Sequence, residues 1–436
     1  MSVGRRRAAW AAAALAVLAA DARPALAGEV KERTEVLDEV TAAATADTLL
    51  NADGRVYRPD RVANRLRVLS QVTVDLPAAI TFKSRGAFDA RHAEATPGVF
   101  EWTLPEAYLR RPFGRAELSV GRKILRWSNG YAFTPAGLLD PVRDPADPQD
   151  RLGSFEGRDM VEVDLYLGAH TLSAVYTPGK VLPGAKTAQE ELFALRYHVL
   201  FHGVDLSVMG AHHPASVDAA AASVSYVVGG GLEVHAESAL SRGSALLLPR
   251  SAVPGGQQTL FGPDFYAPLR QDDRRLYVRW LAGLNYTVPG GVNVVLEYFH
   301  APDGLGADEW RRFVDQGRFS RALFETGTFP PVSDGRSLPE LNLLQALRGL
   351  GGGTLGRDYG LVRIGHPRPL PGVEASALAL VNLRDRSLAV VPELSVQVQR
   401  RTTAYMRGTF MSGGAESEFG NVPVSWSANF GVRVAF

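Results

Sequence analysis

The sequence has no cysteine, no surplus of either charge and, past its first twenty residues, no long apolar run. Without thiols there is no disulfide framework and no thiolate metal site. With 47 basic against 46 acidic side chains, the chain lacks the positive field that nucleic-acid binding needs, so no nucleic acid is expected as a partner. A 21% charged and 46% hydrophobic composition is also unlike a disordered polyampholyte. Uncharged stretches beyond the N-terminal region are short; 219–232, for one, is fourteen residues carrying three glycines. A spanning helix needs roughly 20 apolar residues, so none is expected there.

What is present first is an export pattern. Arg5, Arg6 and Arg7 precede an apolar segment from Ala8 to Ala20, Pro24 breaks it, and Ala25-Leu26-Ala27 offers a small-residue cleavage site before Gly28. Residues 1–27 therefore read as a signal peptide and 28–436 as the mature chain, close to neutral. An exported chain without a spanning helix is either a soluble globule or a closed membrane barrel with strands apolar outside and polar inside.

Period-two alternation separates these two. Val424, Trp426, Ala428, Phe430, Val432, Val434 and Phe436 share one face, and Ser425, Ser427, Asn429, Gly431, Arg433 and Ala435 share the other. A strand rising about 3.3 Å per residue and tilted about 40° advances roughly 25 Å from Trp426 to Phe436, the height of a barrel's apolar band between its aromatic girdles. Similar runs recur at 65–76, 161–167, 232–237 and 276–286, with charges opposite each apolar stripe. A water-filled lumen gives those charges the solvent they need. The fold class is therefore all-β, a transmembrane antiparallel β-barrel.

Links between the runs alternate. Tight ones fall at 76–78, 113–114, 168–170, 202–203, 229–231, 289–291, 367–372 and 400–401; longer ones fall at 92–100, 128–157, 178–190, 212–218, 241–273, 300–356 and 412–423, with the short link at 384–386 the exception in that set. This is the asymmetry of a barrel with short periplasmic turns and long extracellular loops. Seventeen strands beginning at Val62 follow. An even number needs one more, and the weak alternation from Val36 to Leu50 is the candidate, giving about 18 strands; 16 with an N-terminal segment outside the barrel is the alternative.

The segment Gly121-Arg122-Lys123-Ile124-Leu125-Arg126-Trp127-Ser128-Asn129-Gly130, continuing through Phe133-Thr134-Pro135, Leu139-Asp140-Pro141, Asp144-Pro145, Asp147-Pro148 and Arg151-Leu152-Gly153, resembles a recurrent segment of Gram-negative outer-membrane porin-like proteins, a group that includes alginate-export-type porins. Lys123 stands where that group often has Gln, and Ser128-Asn129 where Gly is usual. The terminal strand ending in Phe436 resembles the signal such proteins present to the barrel-assembly machinery. The resemblance implies a bacterial outer-membrane location, with membrane lipid and that machinery as partners. A plainer reading of the Asp-Pro repeats is a rigid surface loop.

The insertion at 300–356 carries the chain's helix-like sequence. Asp308 could cap a segment with Trp310, Phe313, Val314, Phe319 and Leu323, and a second apolar stretch runs from Leu338 to Leu350. It would either gate the mouth or cap the rim. Opposite the apolar stripes, the lumen face receives Arg65, Arg67, Lys83, Arg85, Arg110, Arg196 and Arg279, with Glu106, Glu117, Glu162, Asp164, Asp205, Glu233, Glu237 and Glu297. The basic residues of the first strands, extended by Arg433 across the closure, form one wall and the acids lie further round, a transverse field that orients polar solutes. The alternative is that these charges satisfy one another in a packed interior. Arg122 shares the parity of Leu118 and Val120, so only a bulge at Gly121 would bring it inward; Arg126 is a rim or constriction candidate.

Ser207, His212, His213 and Asp218 have no spacing that specifies a nucleophile, base and orienting acid, or a metal site. The expectation is a non-enzymatic channel with no cofactor, passing a small polar or charged solute or a saccharide. A non-transporting barrel with a plugged lumen is the alternative. The region from Gly28 to Asp60 is too short to be a plug domain.

Overall fold

The computed structural model describes residues 29–94, 98–150, 152–185, 189–214, 217–244, 248–249, 268–269, 275–351 and 354–436. The signal-peptide segment lies outside them. Eighteen strands form one sheet: β1 Val30–Thr45, β2 Val62–Leu76, β3 Ile80–Ala93, β4 Val99–Phe113, β5 Ala116–Lys123, β6 Arg158–Leu167, β7 His170–Pro178, β8 Glu191–Phe201 and β9 Val204–His212. They continue as β10 Ala219–Val228, β11 Leu232–Arg242, β12 Leu276–Thr287, β13 Asn293–His300, β14 Asp358–Leu370, β15 Val373–Asn382, β16 Leu388–Gln399, β17 Thr402–Ser412 and β18 Val424–Ala435. Each pairs antiparallel with its sequence neighbours, and β1 also pairs with β18 through Leu37↔Arg433 and Val40↔Phe430. That pairing closes the sheet. The Phe436 N–H, donating to the Thr34 carbonyl at 2.8 Å, pins the last residue against the first strand.

The eighteenth strand is the N-terminal one, so the sixteen-strand alternative is ruled out. It begins at Val30 rather than Val36, and it ends at Thr45 rather than Leu50. Leu50 is fully buried in a rim cluster beside a short 3-10 turn at Ala52–Gly54, so its apolar character serves a cap and not a strand. The tight and long links fall where the alternation placed them. The His202-Gly203 turn is typical of the tight end: both residues have positive φ (49° and 81°), the backbone of a two-residue hairpin whose twist matches its strands.

The barrel is inverted in polarity relative to a soluble protein. Trp426, Phe430, Val432 and Phe436 are exposed on the outside, as are Trp102, Phe193 and Trp280, while Arg67, Asp89, Glu162, Glu237 and Glu297 are buried inside. No helix among the described residues is long and apolar enough to cross a membrane; a barrel crosses with strands.

The insertion after β13 folds as two helices, α1 Ala307–Thr326 and α2 Leu338–Gly351. The cap of α1 is Gly306 and not Asp308: Glu309 reaches back to accept the Gly306 N–H at 2.6 Å, which leaves Asp308 in the first turn. Trp310, Phe313, Leu343 and Leu347 pack on one another and on Leu50 and Val56 of the β1–β2 link, and the Trp310 indole donates to the Glu416 carbonyl. These helices thus build a small core at the long-loop end. The segment that enters the barrel is the one at 124–157.

Gly121 is not a bulge. It pairs in continuous register with Tyr108 and Met160, so Arg122 stays on the outward parity with Leu118 and Val120. There the loop at 179–185 folds over it. Arg122 pairs with Asp159 at 2.6 Å, donates to the carbonyls of Leu104, Leu182 and Pro183, and has no exposed surface. Four acceptors around one guanidinium make an outward charge tolerable beside an apolar wall. Gly121 itself has φ +128°, and an added Cβ would stand 2.3 Å from the Ala107 carbonyl oxygen. Replacing Gly121 by Ala is therefore expected to prevent or strongly slow folding, read as loss of heat-modifiable migration on gels. Gly86→Ala, where a Cβ meets nothing within 4 Å, is expected to fold like wild type.

Candidate functional site

Strand parity brings the expected lumen residues inside. On β2–β5, Arg65 and Arg67 share Asp89, each at 2.6 Å; Lys83 lies 3.6 Å from Glu106, and Arg110 lies 3.8 Å from Glu117. Arg67, Arg85 and Arg433 line one cavity of about 320 Å³ together with Glu35 and Asp150. Next along the sheet, on β5–β9, Glu162 pairs with Lys123, Asp164 accepts from the Ser173 hydroxyl, and Asp205 meets His198 at 3.1 Å. Arg196 donates to the Ser207 hydroxyl at 2.9 Å, and Arg279 is bound to Asp303 through Nε at 2.9 Å. Glu233 is 3.5 Å from the Asn285 amide.

Glu237 and Glu297 do something the sequence pattern does not reveal. Glu237 Oε1 accepts the Ser128 hydroxyl at 2.7 Å and the N–H groups of Asn129 and Gly130 at 2.5 and 2.9 Å, while Oε2 accepts the Ala136 N–H at 3.1 Å. Glu297 accepts the N–H groups of Tyr131 and Ala132, and His235 Nε2 sits 3.2 Å from its Oε1. Five consecutive residues of the 124–157 loop thus point donors at two carboxylates buried in the barrel wall. Charge-assisted bonds of this type contribute about 1.5–3 kcal/mol each, which offsets the cost of burying two acids.

The loop then crosses the lumen. Phe133 stacks on Phe299 at 4.4 Å, and Arg143 donates to the carbonyls of Gly130 and Tyr131. Inside the loop, Asp140 accepts the N–H groups of Trp127 and Ser128; burial raises its carboxyl above the ordinary range even against those two bonds. Arg407 of β17 holds the Ala146 carbonyl at 2.6 Å and Asp147 at 2.9 Å. Finally Arg67 donates to the Gly153 carbonyl at 2.8 Å, on the wall facing Glu237. Between the loop and β11–β13 lies a second cavity of about 440 Å³, lined by Arg126, Tyr131, Phe155, Glu233 and His235 among others. Arg126 stacks on the Phe155 ring at 5.6 Å.

Asp89, Lys123, His235, Arg143 and Arg407 were not among the expected site residues. Asp89 and Arg407 carry the same inward parity as Arg85 and Asn429, so their places were legible. The role of the loop's backbone N–H groups had no side-chain signature.

No protein-family model matches the sequence, and no curated protein does. Solved structures do. Acinetobacter baumannii OccAB1 superposes with a TM-score of 0.56 at 8% identity, covering 93% of this chain and 96% of that one. Pseudomonas aeruginosa OccK5 (OpdH) gives 0.53 at 9% identity, covering 94% and 98%, and OccD3 (OpdP) of the same organism gives 0.52 at 10%, covering 94% and 92%. The fold is that of an outer-membrane porin. These neighbours lend no support to the alginate-export subgroup suggested by the loop sequence.

Because Glu237 accepts four donors from the loop, Glu237→Ala leaves buried N–H groups unpaired at about 1–3 kcal/mol apiece. The expected result is a folded barrel whose 124–157 loop is cut by protease many times faster than in wild type. Glu117→Ala, inside the lumen but away from the loop, is expected to leave cleavage unchanged.

Proposed function

We propose that this porin-fold barrel is a passive outer-membrane channel for small polar or charged solutes, with its long loops outside the cell and its tight turns in the periplasm. The observation that carries the reading is the 124–157 loop, held across the lumen by Glu237, Glu297, Arg407 and Arg67 while polar cavities remain on both of its sides. A constriction narrows the pore where opposite charges face one another, so that a passing solute exchanges water for side chains. Arg67, Lys83, Arg85, Arg110 and Arg433 supply the basic side. Glu117, Glu162, Asp164 and Glu233 supply the acidic one, with Arg196 and Arg279 set among them.

No group in this account forms a covalent bond with the solute. Ser207 is buried and held by Arg196, and His212 sits at the rim paired with Asp218 at 2.8 Å, so the two do not meet. Phe436, outward and bonded to β1, suits recognition during assembly, and the exposed aromatic and aliphatic wall suits contact with lipid. A second reading, a barrel blocked by its own loop, draws on the number of wall residues that the loop already engages.

Planar-bilayer recording separates the two. The channel reading predicts steady single-channel conductance from the refolded protein, with reversal potentials that move toward cation selectivity in Lys83→Glu and Arg85→Glu, most strongly at low salt. A correctly folded barrel that passes no current would contradict it and favour the blocked form.

A further inference from the structure

Resting on the channel reading, we propose that the cavity between the 124–157 loop and β11–β13 is a binding site for a neutral polyhydroxylated solute, a sugar or a polyol. Its volume of about 440 Å³ lies within the roughly 300–1,000 Å³ of small-molecule sites. Its charges are of both signs. Arg126 lies against the Phe155 ring, Arg143 donates through Nη1 to the Gly130 and Tyr131 carbonyls at 2.6 and 2.9 Å, and Glu233 stands on the β11 side. An anion would meet Glu233 and a cation would meet two arginines, so neither finds a lining of one sign, whereas a hydroxyl group can bond to guanidinium and carboxylate alike.

What remains suits hydroxyl groups, which donate and accept at once. His235 Nε2 faces Glu297, and its buried Nδ1 has no hydrogen-bond partner among the described residues; a hydroxyl group can either donate to it or accept from it. The Asn129 Nδ2 amide, a donor, is likewise buried without one. Gln149 adds an amide and lines both this cavity and the basic one beside Arg67 and Arg85. The Tyr131 and Phe155 rings supply the apolar surface on which the C–H face of a sugar ring rests.

Calorimetry on the folded, detergent-solubilised protein tests this with glucose, maltose and mannitol as probes and glutamate and lysine as charged controls. At least one neutral probe is expected to bind saturably. Asn129→Ala and Phe155→Ala are each expected to weaken it about tenfold, the effect of losing one hydrogen bond or one ring contact. Gly86→Ala, where an added methyl meets nothing within 4 Å, is expected to leave it unchanged, and heat-modifiable migration shows that each variant has folded. The proposal is overturned if no neutral probe binds, if both cavity variants bind like wild type, or if a charged control binds more tightly than every neutral probe. Calorimetry needs no open pore. Binding without bilayer conductance would retire the channel and keep the site, and conductance without binding would do the reverse.

Discussion

Two buried carboxylates on neighbouring parts of one wall, Glu237 on β11 and Glu297 on β13, determine what the inside of this barrel is like. The strands close a tube by satisfying their own backbone groups, and closure says nothing about how much of the tube is open. The interior takes its shape because a loop with unpaired N–H groups descends into it and those groups need acceptors. A carboxylate taken from water is costly unless it is hydrogen-bonded. An irregular backbone taken from water is costly for the same reason. Each solves the problem of the other, and the loop is fixed where the two meet.

The remaining anchors follow from that placement. Once residues 128–136 sit on the acidic wall, the rest of the loop must return to β6 across the lumen, and it meets Arg407 and then Arg67 on the way. Both are basic residues that would otherwise face water or another charge. The transverse field therefore does two jobs, with part of each wall consumed in holding the loop and part left to line the cavities. Gly283 makes room for this arrangement, since a Cβ there would stand 2.3 Å from His235, the neighbour of Glu297.

The barrel was legible in the sequence because a membrane wall imposes strict alternation, and a single terminal strand from Val424 to Phe436 already displays it. Lumen assignments followed from the same parity, as the inward places of Lys83, Glu162 and Arg279 show. The first strand was harder to place: its weak alternation read as running from Val36 to Leu50, though Leu50 belongs to the rim core. The function of the loop was not legible at all. Its grip lies in backbone N–H groups, which every residue type possesses, and its acceptors lie more than a hundred residues further along the chain. The aromatic-rich insertion at 300–356 looked the better candidate for the lumen, yet its apolar side chains found partners in each other and in the β1–β2 link. Arg122 shows the same limit in reverse, since what makes its outward position tolerable is a distant loop's carbonyl groups.

The measurement that bears most directly on this account is amide hydrogen exchange of the folded, detergent-solubilised barrel at residues 129–132 and 136. Bound to Glu237 and Glu297 inside the lumen, these loop amides are predicted to exchange as slowly as those of the flanking strands β11 and β13. Exchange as fast as that of the exposed rim amides at 413–415 would mean that the loop is not held by those carboxylates, and the account of the interior would fail.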